Sequence, residues 1–115
     1  MDLSYLNELD QEDFYESLMD LASNTQNVKI RQDENLVHGC QSKVWLVLDD
    51  DQILFDSDSM FVKGLITAVV SQLTTLEDMK NVKTSDYNFI NLNKITYQRI
   101  KGIDSFINKL NKLAS

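Results

Sequence analysis

The 115-residue chain has 43% hydrophobic and 25% charged residues, the balance of one globular domain spanning residues 1–115. Lys and Arg number 11 against 18 Asp and Glu, for a formal net charge of -7, which argues against the clustered cationic surface that binds nucleic acid and against adhesion to an anionic membrane. With one Cys and one His, neither an internal disulfide nor the usual Cys/His zinc site can form, so a metal-free protein of a reducing, cytoplasmic compartment is expected.

The opening segment MDLSYLNELDQEDFYE has no basic stretch followed by an apolar run, so it does not read as a secretory signal. Leu3, Leu6 and Leu9, then Phe14, Leu18 and Leu21, recur at helical spacing and predict one or two short helices over residues 2–22, with Asp10 capping the second. Ser23–Asn27 reads as a polar loop. Val28–Ile30 is expected to begin a strand that continues, past a turn at Gln32–Asn35, into Leu36–Val37. Residues 43–49, KVWLVLD, are β-branched, aliphatic and aromatic, apolar on both faces, and form the best strand candidate. Asp49–Asp51 then reads as a hairpin turn and Ile53–Asp56 as the returning strand.

Ser57, Asp58 or Ser59 can cap a central helix whose broad stripe includes Phe61, Leu65, Ala68 and Val69, with Val62, Ile66 and Leu73 beside it. Asp56, Ser57 and Asp58 resemble a metal-binding cluster, but placed before a helix they read first as capping groups. Gly64 inside this helix is expected to permit close approach to the sheet, since Gly otherwise weakens a helix. Leu65–Val70 is too short to span a bilayer. Thr74–Asn93 should hold short helical turns. Thr96 can cap a closing amphipathic helix with Ile100, Ile103, Phe106, Ile107, Leu110 and Leu113 inward. The order predicts an α+β fold, a small antiparallel sheet of about three strands packed against N-terminal, central and C-terminal helices.

The stretch Val37-His38-Gly39-Cys40-Gln41-Ser42-Lys43-Val44-Trp45 carries the candidate chemistry. A free Cys reads either as a small buried hydrophobe, the commoner case, or as a nucleophile, and three local features bring the two readings level. Cys40 falls between strand candidates rather than within an apolar period. Gly39 allows a sharp backbone turn that presents its neighbour. Gln41 and Ser42 offer hydrogen-bonding groups to a thiolate. His38 is a candidate base for forming that thiolate, or else a surface His.

The run VHGCQSKVWL, followed by FDSDSMFVKGLITAVV and by Thr96-Tyr-Gln-Arg99-Ile-Lys-Gly102-Ile, resembles the SufE family. That family has a V-x-G-C-Q-S-x-V-W segment, a D-S-D-x-x-x-V-x-G-L helix start and an Arg-x-x-Gly-Leu segment, and here the three blocks stand in the same order from about Asn35 to Phe106. The resemblance implies a SufE/IscU-like fold. It also implies a protein without a cofactor that binds a cysteine desulfurase of the SufS or CsdA kind, takes its persulfide sulfur onto Cys40, stimulates the desulfurase and relays the sulfur to an iron–sulfur scaffold such as a SufB-like complex, or to another acceptor. Arg99 would then stabilise the sulfur anion. The sequence departs from the family pattern at Lys101, where Asn is common, and in having no Pro; its segment before the motif is short, which predicts an abbreviated N-terminal helix. An IscU-type scaffold needs about three Cys and a further ligand, which this composition excludes. Two readings stay open beside the sulfur carrier: a non-catalytic desulfurase-binding domain, and a single-Cys thiol redox protein.

Overall fold

In the computed structural model, residues 4–23 and 27–115 are described. Leu3 of the first apolar stripe, and residues 24–26 of the expected polar loop, lie outside them. A 3-10 turn at Ser4–Glu8 leads into helix α1, Gln11–Ser23. The Asp10 carboxylate accepts from the Asp13 backbone N–H at 2.9 Å, satisfying one of the free amides at the helix start as expected. Leu6 of the turn and Phe14, Leu18 and Ala22 of α1 are buried.

Strands β1 (Val44–Asp49) and β2 (Gln52–Ser57) form a two-stranded antiparallel hairpin, with Val44 opposite Ser57 and Asp49 opposite Gln52. Asp50 turns the chain in the left-handed region at φ 56, a conformation that Asp tolerates better than most residues. The sheet has two strands where about three were expected. Val28–Ile30 forms a 3-10 turn instead, and Leu36 makes only an isolated bridge to Trp45. The reason is local competition for hydrogen bonds. The Asn35 side chain donates to the Ile30 carbonyl at 3.0 Å, and the Gln32 N–H donates to that same carbonyl at 2.7 Å, so it is not available to a ladder. Val28 is left 63% exposed, with no apolar face to pack on.

Helix α2, Met60–Val70, is capped by Ser59, whose hydroxyl accepts from the Val62 N–H at 3.3 Å. It is buried nearly all round because it is the middle layer, packed chiefly on α1 and more lightly on β2. Gly64 therefore serves a helix–helix approach and not the expected helix–sheet one: a Cβ there would fall 1.8 Å from the Leu18 carbonyl oxygen. Helix α3, Leu76–Asn81, begins with a capping box between Thr75 and Asp78, and a 3-10 turn follows at Thr84–Asp86. Helix α4, Tyr97–Ala114, is capped by Thr96 and buries Ile103, Phe106, Ile107, Leu110 and Ala114. Leu113, expected inward, is 44% exposed. At 100° per residue it falls roughly 80° from Ile103 around the axis, whereas Ala114 falls only about 20° away and takes the inward place.

Asp56 does not serve as the expected helix cap. It is fully buried and bridges two cations, Arg31 at 2.7 Å and Lys63 at 2.9 Å. Burial by itself would push its carboxyl pKa up. Hydrogen bonds from Arg31, from Lys63 and from the Ser57 N–H outweigh that and hold it below its ordinary value of 3.8. Its neighbours extend the hairpin: the Ser57 hydroxyl donates to the Lys43 carbonyl at 2.8 Å, and the Asp58 carboxylate accepts from the Lys43 N–H at 3.0 Å.

Two outcomes are expected. Gly64→Ala should destabilise the protein by about 3 kcal/mol, measured by urea unfolding, because a backbone atom of α1 has no rotamer by which to yield. Asp56→Asn should cost about 3–5 kcal/mol at neutral pH by leaving a buried cation uncompensated. Because Asp56 has a depressed pKa in the folded state, its contribution is complete above the unfolded value and is lost as pH falls through the folded one. The stability gap between wild type and Asp56→Asn should therefore narrow below about pH 4; a gap independent of pH would contradict this account.

Candidate functional site

Cys40 sits in the loop between Leu36, which bridges to Trp45, and the start of β1, and two glycines on different elements define its position. Gly39 takes φ +98, a conformation that side-chain-bearing residues rarely adopt, and a Cβ there would lie 2.5 Å from the Ser105 hydroxyl oxygen of α4. Gly102, also on α4, passes directly beneath the cysteine: a Cβ on it would meet Cys40 Sγ at 3.4 Å and Cys40 Cα at 3.7 Å. The bare backbone of α4 is thus what lets the loop settle on the helix.

The Cys40 thiol is half-buried and donates to the Gly102 carbonyl at 3.3 Å. Burial pushes its pKa up from the ordinary 9.0, so in this arrangement it is a protonated thiol at neutral pH. Beside it is a cavity of about 70 Å³ whose apolar walls include Val62, Leu65 and Ile66 of α2 and Ile103 of α4. Gln41, Ser42, Gln98 and Arg99 supply its polar lining. The Arg99 guanidinium lies over the Phe61 ring, 4.3 Å from the centroid, a cation–π contact that parks the charge at the edge of the cavity.

Of the residues expected at the site, the structure brings together Cys40, Gln41, Ser42 and Arg99, with Gly39 shaping the backbone that presents the thiol. His38 is exposed in the turn before Gly39 and is not among the residues lining the cavity. Gln98, Phe61 and Ser105 were not anticipated. Ser105 follows Gly102 by one helical turn, so its place against the loop could be read once Gly102 was known to face Cys40. Phe61 is core, as its place on the α2 stripe predicts, yet its ring also seats Arg99.

These residues lie within a longer match. The SufE domain, described as Fe–S metabolism associated, matches residues 3–114. The chain belongs to the SufE family. Its association with Fe–S metabolism follows from that membership. The fold of this SufE protein is also similar to the solution structure of a hypothetical protein from Thermus thermophilus, with a TM-score of 0.77 over 97% of this chain and 89% of the other. At 17% identity that likeness speaks for the α+β fold alone.

A larger groove of about 660 Å³ lies elsewhere on the protein, along α3 and the turn that follows, and is lined by Glu77, Asp78, Asp86 and Tyr87 among others. It holds no thiol, and its phenol is tied down: Tyr87 donates to the Val69 carbonyl at 3.0 Å, and its pKa is pushed up to about 12, first by burial and then by Asp86 and Asp78. The smaller cavity is the one that the Cys40 thiol borders. No helix among the described residues is long and apolar enough to cross a membrane.

A direct check of the site is the pH profile of Cys40 alkylation by iodoacetamide. The raised pKa predicts a midpoint above that of a short unstructured Cys peptide. A midpoint below the peptide's would mean that the resting loop stabilises the thiolate, contrary to the geometry described.

Proposed function

We propose that this SufE protein is a sulfur acceptor and carrier, with Cys40 as the atom that receives sulfur from a cysteine desulfurase of the SufS or CsdA kind. The observation that carries the reading is the placement of its thiol: on a glycine-built turn, at the mouth of a cavity with Arg99 on its lining. The Cys40 thiolate attacks the outer sulfur of the desulfurase's cysteine persulfide. A new sulfur–sulfur bond forms on Cys40, the donor's sulfur–sulfur bond breaks, and the donor cysteine leaves as a thiolate, with no net change of oxidation state. Cleavage of the carbon–sulfur bond of free cysteine belongs to the desulfurase and its pyridoxal phosphate, so the carrier requires no cofactor of its own. Removing the product stimulates the desulfurase, and the sulfur passes on to an iron–sulfur scaffold, SufB-like, or to another acceptor.

The geometry supports particular roles. In the resting loop the thiol is protonated and turned to the Gly102 carbonyl, so reaction requires the loop to move on docking. Arg99, on leaving the Phe61 ring, supplies the countercharge that lowers the energy of the sulfur anion. The cavity has room for an added sulfur atom, since about 15 Å³ of such space already holds a water. Gln41 and Ser42 offer hydrogen-bonding groups on its polar side. His38, outside the cavity lining, acts as a base only on a thiol that has left Gly102. A sheltered persulfide of this kind suits the reducing cytoplasm, where exposed sulfane sulfur would be lost to bulk thiols.

The test is intact-mass measurement after incubation with a desulfurase and cysteine without reductant. Wild type should gain about 32 Da, one sulfur, and Cys40→Ser should gain none. Arg99→Ala should take up sulfur roughly tenfold more slowly while keeping its circular dichroism spectrum. An unmodified wild-type protein beside an active desulfurase would overturn the proposal.

A further inference from the structure

One face of α4 follows the loop from its base to its tip. Its Gly102 carbonyl holds the Cys40 thiol, its Ser105 fills the space beside Gly39, and, further along, the Lys109 ammonium donates to the carbonyls of Asn35 at 3.2 Å and Leu36 at 3.1 Å. Lys109 is half-buried, with burial pushing its pKa down from the ordinary 10.5, and it makes no salt bridge among the described residues. A partly desolvated cation that meets two main-chain carbonyls instead of a carboxylate is placed for those carbonyls. They end the 3-10 turn at Asp33–Asn35 and begin the bridge to Trp45, where the chain turns toward the cysteine.

Distance makes this attachment matter. Lys109 lies seven residues beyond Gly102, about 10 Å along the helix axis at 1.5 Å per residue. Cys40 lies four residues beyond Leu36, and such a span reaches at most ~14 Å when fully extended. With Leu36 held at one end, the segment has little slack, and where it is held fixes where the sulfur comes to rest.

We propose that Lys109 is a positioning residue for Cys40: by clamping the carbonyls of Asn35 and Leu36 to α4, it sets the axial register in which the thiol reaches Gly102. This rests on the reading of Cys40 as the sulfur acceptor for its functional meaning, but the positioning itself is a property of the free protein. Losing the clamp leaves the fold in place and lets the loop leave the helix more often.

The test compares Lys109→Met, Lys109→Arg and a control on the same helix. Asn111 is the control because its amide makes an equivalent clamp on the other side, donating to the carbonyls of Met79 at 2.7 Å and Val82 at 3.3 Å. Lys109→Met should raise the rate of Cys40 alkylation at neutral pH at least fivefold, and Lys109→Arg should return it to within twofold of wild type. Asn111→Ala should lower thermal stability without changing that rate. Should Lys109→Met fail to fold, Lys109→Gln, which keeps an amide donor, should give an intermediate rate. In the sulfur-loading assay, Lys109→Met should still accept sulfur but lose it to added glutathione at least fivefold faster. Wild-type alkylation rates in a folded Lys109→Met or Lys109→Gln, or an equal acceleration in Asn111→Ala, would overturn the proposal. Failure of wild type to take up sulfur would instead overturn the functional reading, while alkylation still decided the role of Lys109.

Discussion

The buried carboxylate of Asp56 is the constraint around which the layers are arranged. A charge with no exposure persists only if it is paired and hydrogen-bonded, and Asp56 draws its partners from two other parts of the chain: Arg31 from the irregular segment and Lys63 from α2. That requirement ties β2 to α2 on one side and to the segment before the loop on the other. Arg31 extends the tie further, because its guanidinium also covers the Trp45 ring at 4.9 Å and donates to the Ser57 carbonyl at 3.2 Å. The outer face of β1 is thereby covered without a third strand, and the chain entering the Cys40 loop leaves from a fixed place.

From that place the loop runs to α4, against which the Cys40 thiol lies half-buried. An exposed thiol ionises readily but reacts with anything; a buried one is selective but protonated. Here the balance falls on the side of protection in the resting protein, with Gly102 offering a carbonyl and Phe61 holding the guanidinium of Arg99 aside. Arg99, Gln41 and Ser42 border the same cavity as the thiol, so the proposed activation asks for a change in the loop and not the assembly of a new site.

The helices were the most legible part of the chain. Asp10, Ser59 and Thr96 cap the helices they precede because a short oxygen-bearing side chain next to free amides has one dominant use. The hairpin was legible from the run around Val44–Leu48, where β-branched, aliphatic and aromatic residues crowd together. Val28–Ile30 was misread for a related reason: strand-forming composition over three residues cannot outweigh Asn35 and Gln32 competing for the same carbonyl. Leu113 was misplaced because a stripe continued by eye does not follow the rotation of a helix to its end. Gly64 was expected to make a close approach, and it does, but to α1.

What the sequence determined by itself was the candidate atom and its immediate frame: a sole Cys after Gly39, followed by Gln41 and Ser42, in a run whose residue types resemble one family. Those features are local, set by backbone freedom and side-chain chemistry along a few consecutive positions. Only the tertiary structure decided the state of that atom. The rise in its pKa, the Gly102 carbonyl it bonds, the Phe61 ring that holds Arg99 and the Lys109 clamp at the base of its loop all join residues far apart in the chain. Desolvation and close approach depend on which surfaces meet, and a linear pattern records which surfaces are apolar, not which of them will touch.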